Sequence, residues 1–196
     1  MGNGYREGCP VPLGELRLAR ITHRDFQGKV AEGQLVVHRE ICEEVVEIFR
    51  ELFELGFPIE KMRPIHHYAG DDRKSAADNN TTAFHCRRST GKPAEFSIHS
   101  FGLAIDVNPR QNPYLVNERV IPEEGRAFLD RQQARPGMIQ RGDGAYRAFI
   151  GRGWRWGGDW KKTRDYQHFE RQIRRITRKS DRGDLPGGAS SPRSSP

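Results

Sequence analysis

The sequence predicts a single compact α+β domain: one long helix with a shorter one flanking a small antiparallel sheet, and many loops. Three observations lead to that class. A length of 196 residues fits one domain of ordinary size. A composition of 35% hydrophobic and 30% charged residues, with 21 Gly and 12 Pro, supplies a core but leaves much of the chain irregular. One segment carries a helical apolar stripe, whereas other apolar residues fall in short β-prone runs between turn residues.

Taken in order, Met1 to Pro12 is Gly- and Pro-rich and is expected to lie extended over the body. Leu16, Leu18 and Ile21 mark a first strand or short helix. Phe26 to Val30 and then Gly33 to Val37 read as a hairpin, with Gly28 supplying the turn. From Arg39 to Leu55, the residues Ile41, Val45, Ile48, Phe49, Leu52 and Leu55 recur at three- and four-residue intervals with Glu and Arg opposite. That spacing predicts an amphipathic helix, ended by Gly56 and Pro58. Met62 to Tyr68 reads as a strand, and Ala69 to Thr82 as a long polar loop. Phe84 to Arg87 and Leu103 to Val107 are short β-prone runs. Pro109 to Pro136 reads as irregular, Ala145 to Ile150 as a short helix stopped by Gly151 or Gly153, and Gly153 to Trp160 as an aromatic pocket wall. Past about Arg178 the chain turns to Ser, Pro, Gly and Arg, and no order is expected there.

The formal charge of +7 raises the question of nucleic acid, and its distribution answers it. Residues 171–196 hold seven basic and two acidic residues, a net of +5, so residues 1–170 carry only +2. The excess belongs to a basic tail, and no nucleic-acid partner is expected. No run approaches the roughly 20 apolar residues of a membrane helix, and the N-terminus lacks the apolar core of a signal peptide. Cys9, Cys42 and Cys86 are too scattered for a Cys-rich metal site. An odd count permits one disulfide; with Cys42 on the buried helix face, the pair to consider is Cys9 with Cys86.

The chemistry concentrates in Ser97-Ile-His99-Ser-Phe-Gly102-Leu-Ala104-Ile-Asp106 and, some sixty residues on, Asp165-Tyr-Gln-His168. Two imidazoles and a carboxylate, His99, Asp106 and His168, form a zinc-type set that leaves a fourth tetrahedral position open, as catalytic sites do. His99 and Asp106 are seven apart and would face opposite ways on one strand, so a turn or bulge at Gly102 is needed to bring them together. Asp165 precedes His168 by three, which reads as one face of a helical turn and sets a carboxylate beside the metal as general base. The alternative role for Asp165 is to orient a ligand.

These residues resemble the zinc D-alanyl-D-alanine carboxypeptidases and L-alanyl-D-glutamate endopeptidases of bacteria and phages, the VanY-like family. Its pattern Ser-x-His-x-x-Gly-x-Ala-x-Asp, with an acid three residues before the last His, is met at Ser97, His99, Gly102, Ala104, Asp106, Asp165 and His168. Cys9-Pro-Val-Pro, Asn79-Asn80, Cys86-Arg87, Asn112-Pro-Tyr114, Trp156-Gly-Gly-Asp-Trp160 and His168-Phe169 extend the likeness from about Cys9 to Gln172. The resemblance implies a Hedgehog/DD-peptidase-like fold around a zinc cleft, with an N-terminal extension at 1–8, a catalytic domain at 9–175 and a disordered tail at 176–196. It implies one zinc ion on His99, Asp106 and His168, and a metal-bound water attacking peptidoglycan stem peptides with Asp165 as base. Arg87 is then expected to bind a substrate carboxylate or steady the oxyanion, and Ser97 to hydrogen-bond substrate, the plainer readings being a surface ion pair for Arg87 and a turn cap for Ser97. Trp160, five residues from Asp165, is expected to flank the site. Many carboxypeptidase members carry Glu where this chain has Asp165, the residue of the endopeptidase branch. A monomer acting outside the cytoplasm or at the cell wall is expected.

A competing expectation is a non-catalytic module that holds a cell-wall peptide on the same fold; the intact Asp165 weighs against it. The remaining features have plainer readings. His66 and His67 adjoin on an expected strand, so only one can face the pocket, and these two with His23, His38 and His85 read as core or surface histidines. Asp71 and Asp72 could line the cleft or bind a cation but read first as solvated loop residues, and Trp154 and Trp156 read as packing.

Overall fold

The chain opens with a short 3-10 turn, Gly2–Gly4, and enters a long antiparallel hairpin through another, Leu13–Glu15. In this computed structural model, which describes residues 2–173 and Ile176, β1 (Leu16–Arg24) and β2 (Val30–His38) pair from Leu16 with His38 to Arg24 with Val30. The first strand thus falls where Leu16, Leu18 and Ile21 marked it, and it forms the hairpin's first arm in place of the expected Phe26 to Val30. Ala19, Ile21 and His23 alternate inward along it, which is the period a half-buried strand requires. Gly28 does serve the turn, at φ 78°, and Asp25 Oδ1 accepts from Gln27 N (2.9 Å) and Lys29 N (2.8 Å).

A 3-10 turn at Arg39–Ile41 leads into α1 (Cys42–Glu54), whose Val45, Ile48, Phe49 and Leu52 are buried as their spacing predicts. Each such side chain contributes roughly 1.5–3 kcal/mol on removal from water. Gly56, at φ 68°, follows the helix end. The expected strand at Met62 to Tyr68 shrinks to β3 (Lys61–Met62); beyond Pro64 the chain winds into a 3-10 helix, Ile65–Tyr68. The expected polar loop holds α2 (Asp72–Ala77), capped by Asp71, whose Oδ1 accepts from Arg73 N and Lys74 N, and then β4 (Asn80–Thr81).

Residues 84–86 are extended but join no strand, because their amides are taken by three different segments. Phe84 N donates to Val36 O, His85 N to His99 O and Cys86 N to Gly4 O. A 3-10 turn at Ile98–Phe101 precedes β5 (Ala104–Asp106). The stretch read as irregular contains a tight hairpin, β6 (Tyr114–Val116) and β7 (Arg119–Ile121), and a 3-10 segment Glu123–Phe128. Then come α3 (Gly144–Ile150), β8 (Arg155–Trp156), a 3-10 turn Gly157–Asp159, β9 (Arg164–Asp165) and β10 (His168–Glu170).

The class is α+β, but the single small sheet divides into four among the described residues. These are β1-β2, β5-β10-β8 and β7-β6-β9, all antiparallel, and the parallel pair β3-β4. The core lies between the first hairpin, α1, α3 and β10, where Phe149 stacks on Phe169 (centroids 3.9 Å apart) and meets Phe49 edge-on at 6.2 Å. Cys9 and Cys86 form a disulfide (Cα–Cα 5.8 Å) that ties the N-terminal segment to the wall before Arg87, and Cys42 is free and half-buried. In the loop-closure account, a crosslink spanning 77 residues stabilises the fold by about 4 kcal/mol. The expected tail at 176–196 lies outside the described residues except for Ile176, which packs against the core.

Candidate metal centre

His99 sits in the 3-10 turn Ile98–Phe101, where Ser97 Oγ caps the turn by accepting from His99 N at 3.3 Å. Gly102 ends it in the left-handed region, φ 67°, and a Cβ there would stand 2.6 Å from His38 N. The position therefore needs glycine for both conformation and space. This turn reverses the chain into β5 and brings Asp106 back beside His99, as the seven-residue spacing required. Asp106 and His168 are direct cross-strand partners on β5 and β10, a pairing that sets two side chains on one face.

The three residues converge on one point. His99 Nε2 lies 3.2 Å from His168 Nδ1, His168 Nδ1 lies 3.0 Å from Asp106 Oδ1, and His99 Nε2 lies 3.3 Å from Asp106 Oδ2. Donors at zinc distances of about 2.0–2.1 Å and tetrahedral angles stand about 3.3 Å apart, so the triangle fits such an ion. The outward ring nitrogens fit it too. His99 Nδ1 faces Ala83 O at 2.6 Å, and His168 Nε2 faces Glu170 Oε2 at 3.5 Å, which directs the inner lone pairs to the shared point. Among the described residues this is the group that can hold a metal ion.

Burial works against charge on Asp106, His168 and Asp165 alike. At Asp106 the facing His99 and His168 outweigh it and hold the carboxyl well below the usual carboxylate range. At His168 burial is outweighed by the bonds to Asp106 and Glu170, which push the imidazole up to about 10. At Asp165 burial wins and, with the Asp106 charge, pushes the carboxyl up to about 7. Both raised groups favour the protonated fold. Stability from Asp165 is full below 3.8 and is lost as pH rises through about 7; that from His168 is full below 6.5 and is lost toward about 10. The metal-free protein is thus expected to melt lower as pH rises. A metal competes with those protons, so the melting-point gain on adding zinc is expected to widen between about pH 5 and 8, which thermal melts of both forms check.

Asp165 ends β9 and reaches His168 through a two-residue connection to β10, not along the helical turn its spacing suggested. The outcome is the same neighbourhood. Gly157 makes it possible, because a Cβ there would meet Asp165 O at 2.6 Å and His168 Cβ at 3.2 Å. Asp165 Oδ1 is buried without a hydrogen-bond partner among the described residues. A cleft of about 930 Å³ brings together His99, Asp106, His168, Asp165, Arg87 and Ser97, with Trp160, Tyr114 and Phe96 in its walls. Trp160 is half-buried with its ring 5.3 Å from that of His168. Trp154 and Trp156 pack as expected and spend their indole N–H groups on Glu44 and Tyr166 O.

Other expectations change. His66 and His67 lie on a 3-10 helix, so they do not alternate; their rings are 4.4 Å apart and exposed, away from the cleft. Asp71 is a helix cap. Asp72 is no solvated loop residue: it lines the cleft, meets Arg87 Nε through Oδ2 and holds His85 Nδ1 at 2.6 Å through Oδ1. Sequence reasoning gave the place of Asp72 in the cleft only as the lesser reading, and missed Tyr114 and Gln167. The Asn112-Pro-Tyr114 motif and the place of Gln167 between Asp165 and His168 were the signals available for the last two.

Residues 90–171 match the family model described as D-alanyl-D-alanine carboxypeptidase. The resemblance read from the motif is borne out over that segment, which holds Ser97, His99, Asp106, Trp160, Asp165 and His168. Arg87 and Asp72 lie before it. No curated protein and no solved structure matches the chain.

Proposed function

We propose that this chain, whose residues 90–171 match the D-alanyl-D-alanine carboxypeptidase family, is a zinc peptidase that hydrolyses amide bonds in the peptide stems of bacterial peptidoglycan. The observation that carries the reading is the convergence of His99, Asp106 and His168 at 3.0–3.3 Å beside an unpartnered Asp165 oxygen. Zinc held by that triad supplies a Lewis acid for the scissile carbonyl and brings water to a pKa of about 7.

The chain's own groups do the rest. Asp165 takes a proton from the attacking water at its free Oδ1 and returns it to the leaving nitrogen. Arg87 offers its guanidinium to the developing oxyanion or to a stem carboxylate. Ser97 lines the cleft while its Oγ accepts from His99 N, so its hydroxyl proton is left to donate to substrate. Trp160 walls the cleft beside His168 and keeps water from the reacting bond. Such a substrate places the protein's work outside the cytoplasm or at the cell wall, as a monomer; no described helix is long and apolar enough to cross a membrane.

Mass spectrometry of defined stem peptides incubated with the zinc-loaded chain tests the reading. The expected result is a single new product pair, whose masses distinguish loss of terminal D-Ala from cleavage after L-Ala. No product from the wild type, or the same trace from His99→Ala, would sink it.

A further inference from the structure

Arg87 belongs to an extended segment whose backbone is fixed to the turn that carries His99. Arg87 N donates to Ser100 Oγ (2.9 Å), the single Ser100 hydroxyl proton is shared between Arg87 O (2.7 Å) and His85 O (3.0 Å), and Ser97 N donates to Arg87 O (3.0 Å). Its backbone is thereby registered to the metal ligand, but a guanidinium on a flexible stem is not placed by its backbone alone. The head is met by another residue that lines the cleft, Asp72, 15 positions upstream.

We infer that Asp72 is a positioning residue for the proposed peptidase reaction, fixing the Arg87 guanidinium in the cleft by holding its Nε side while sharing the same carboxylate with His85. The geometry is specific. Asp72 Oδ2 meets Arg87 Nε as an ion pair, without a hydrogen bond from that N–H, and Asp72 Oδ1 faces His85 Nδ1 at 2.6 Å, so each oxygen has one partner. Nε is the edge of a guanidinium that a substrate anion does not need. With that edge occupied, Nη1 makes a single 3.3 Å bond to Arg88 O and Nη2 donates to no described residue, which leaves the Nη end for a carboxylate or oxyanion. His85 in turn is anchored by its own N–H on His99 O at 3.2 Å, so the carboxylate is referenced to the metal-bearing turn. Burial alone would raise the Asp72 pKa, but His85 and Arg87 outweigh it and keep the carboxylate charged. Asp72 itself stays put because Asp71 caps its helix and Ser75, one turn on, is buried and accepts from Asn80 Nδ2 at 3.0 Å. An arginine held this way binds without first losing its freedom, which is how preorganisation raises affinity and rate.

This inference rests on the peptidase reading, and its test separates the two. Steady-state kinetics on a stem pentapeptide are compared for the zinc-loaded wild type, Asp72→Ala, Arg87→Ala and the double variant, with zinc content and melting temperature measured alongside. Asp72→Ala is expected to lower kcat/KM by about tenfold to a hundredfold through the same parameter, kcat or KM, that Arg87→Ala moves. In the Arg87→Ala background it is expected to cost nothing further, and zinc stays at one ion per chain. Asp72→Asn keeps an oxygen acceptor and is expected to recover part of the loss; it also replaces Asp72→Ala in the cycle if the latter fails to fold. Losses that multiply in the double variant, an unchanged kcat/KM in Asp72→Ala, or lost zinc would overturn the assignment. If the wild type turns nothing over, the peptidase reading fails by itself, and the same cycle is read from calorimetric Kd values for the pentapeptide. Additive losses of affinity there, or no binding at all, would overturn the positioning role as well.

Discussion

Asp165→Asn is expected to lower kcat on stem peptides by about 10²–10⁴-fold, the range that general acid–base catalysis contributes, with KM and zinc content near wild type. The substitution keeps the shape of the side chain and removes its ability to take a proton. Geometry supports so large an effect on one group. Asp165 is the one carboxylate of the cleft with a buried oxygen that no described residue engages, whereas Asp106 faces His99 and His168, and Asp72 faces His85 and Arg87. An oxygen so placed has a reason to exist only if something else comes to it. The competing role, orienting a ligand, predicts a different pattern: zinc content would fall together with kcat, and added zinc would restore turnover to Asp165→Asn. Single-turnover rates with metal analysis of the same samples decide between the two.

How much of this could be read from the sequence depended on whether the signal was local. His99 and Asp106 were legible as candidate ligands because residue type, Gly102 and spacing all lie within Ser97 to Asp106, and because a turn at Gly102 is demanded by the parity of a seven-residue gap; His168, some sixty residues on, was joined to them by residue type and the family pattern. The helix at Cys42–Glu54 was legible from its periodic stripe. Asp165 was placed correctly for an incorrect reason. A gap of three suits a helical turn, yet it equally suits two short strands joined by Tyr166 and Gln167, and nothing in Arg164 to Glu170 distinguishes them. The hairpin at Tyr114 to Ile121 escaped notice because Asn117-Glu118 turns it with both residues at positive φ (47° and 64°), and Asn-Glu lacks the glycine that usually announces such a turn. The partners of Asp72 escaped for a third reason. Its helix has only six residues, too few to show a period, and its partners His85 and Arg87 are brought to it by tertiary packing alone. The Cys9–Cys86 disulfide was reachable by elimination, but the meeting of the two segments came only with the fold.

His168→Ala is expected to abolish stoichiometric zinc binding and reduce turnover by at least about 10⁴-fold, since most of the rate enhancement of a metallopeptidase is carried by the ion. Two ligands would remain. His99 and Asp106 still stand 3.3 Å apart, but Asp106 loses the imidazole facing its other oxygen at 3.0 Å and becomes a buried carboxylate with one partner. Its carboxyl then titrates higher than in the wild type, and protons compete more with the metal it would bind. The effect on stability separates ligand loss from misfolding. Saturating zinc stabilises a protein that binds it by about 4 kcal/mol at a thousandfold excess over Kd, so the wild-type melting temperature rises on adding zinc and falls with a chelator. In His168→Ala the metal-free melting temperature is expected to fall below that of the metal-free wild type, because Asp106 and Glu170 lose the imidazole that faces them, while the cooperative transition remains because His168 is not part of the apolar core itself. Neither zinc nor chelator should then move it. A variant that retained one zinc per chain after dialysis and kept its turnover would remove His168 from the metal centre and leave the convergence of the three donors without a role.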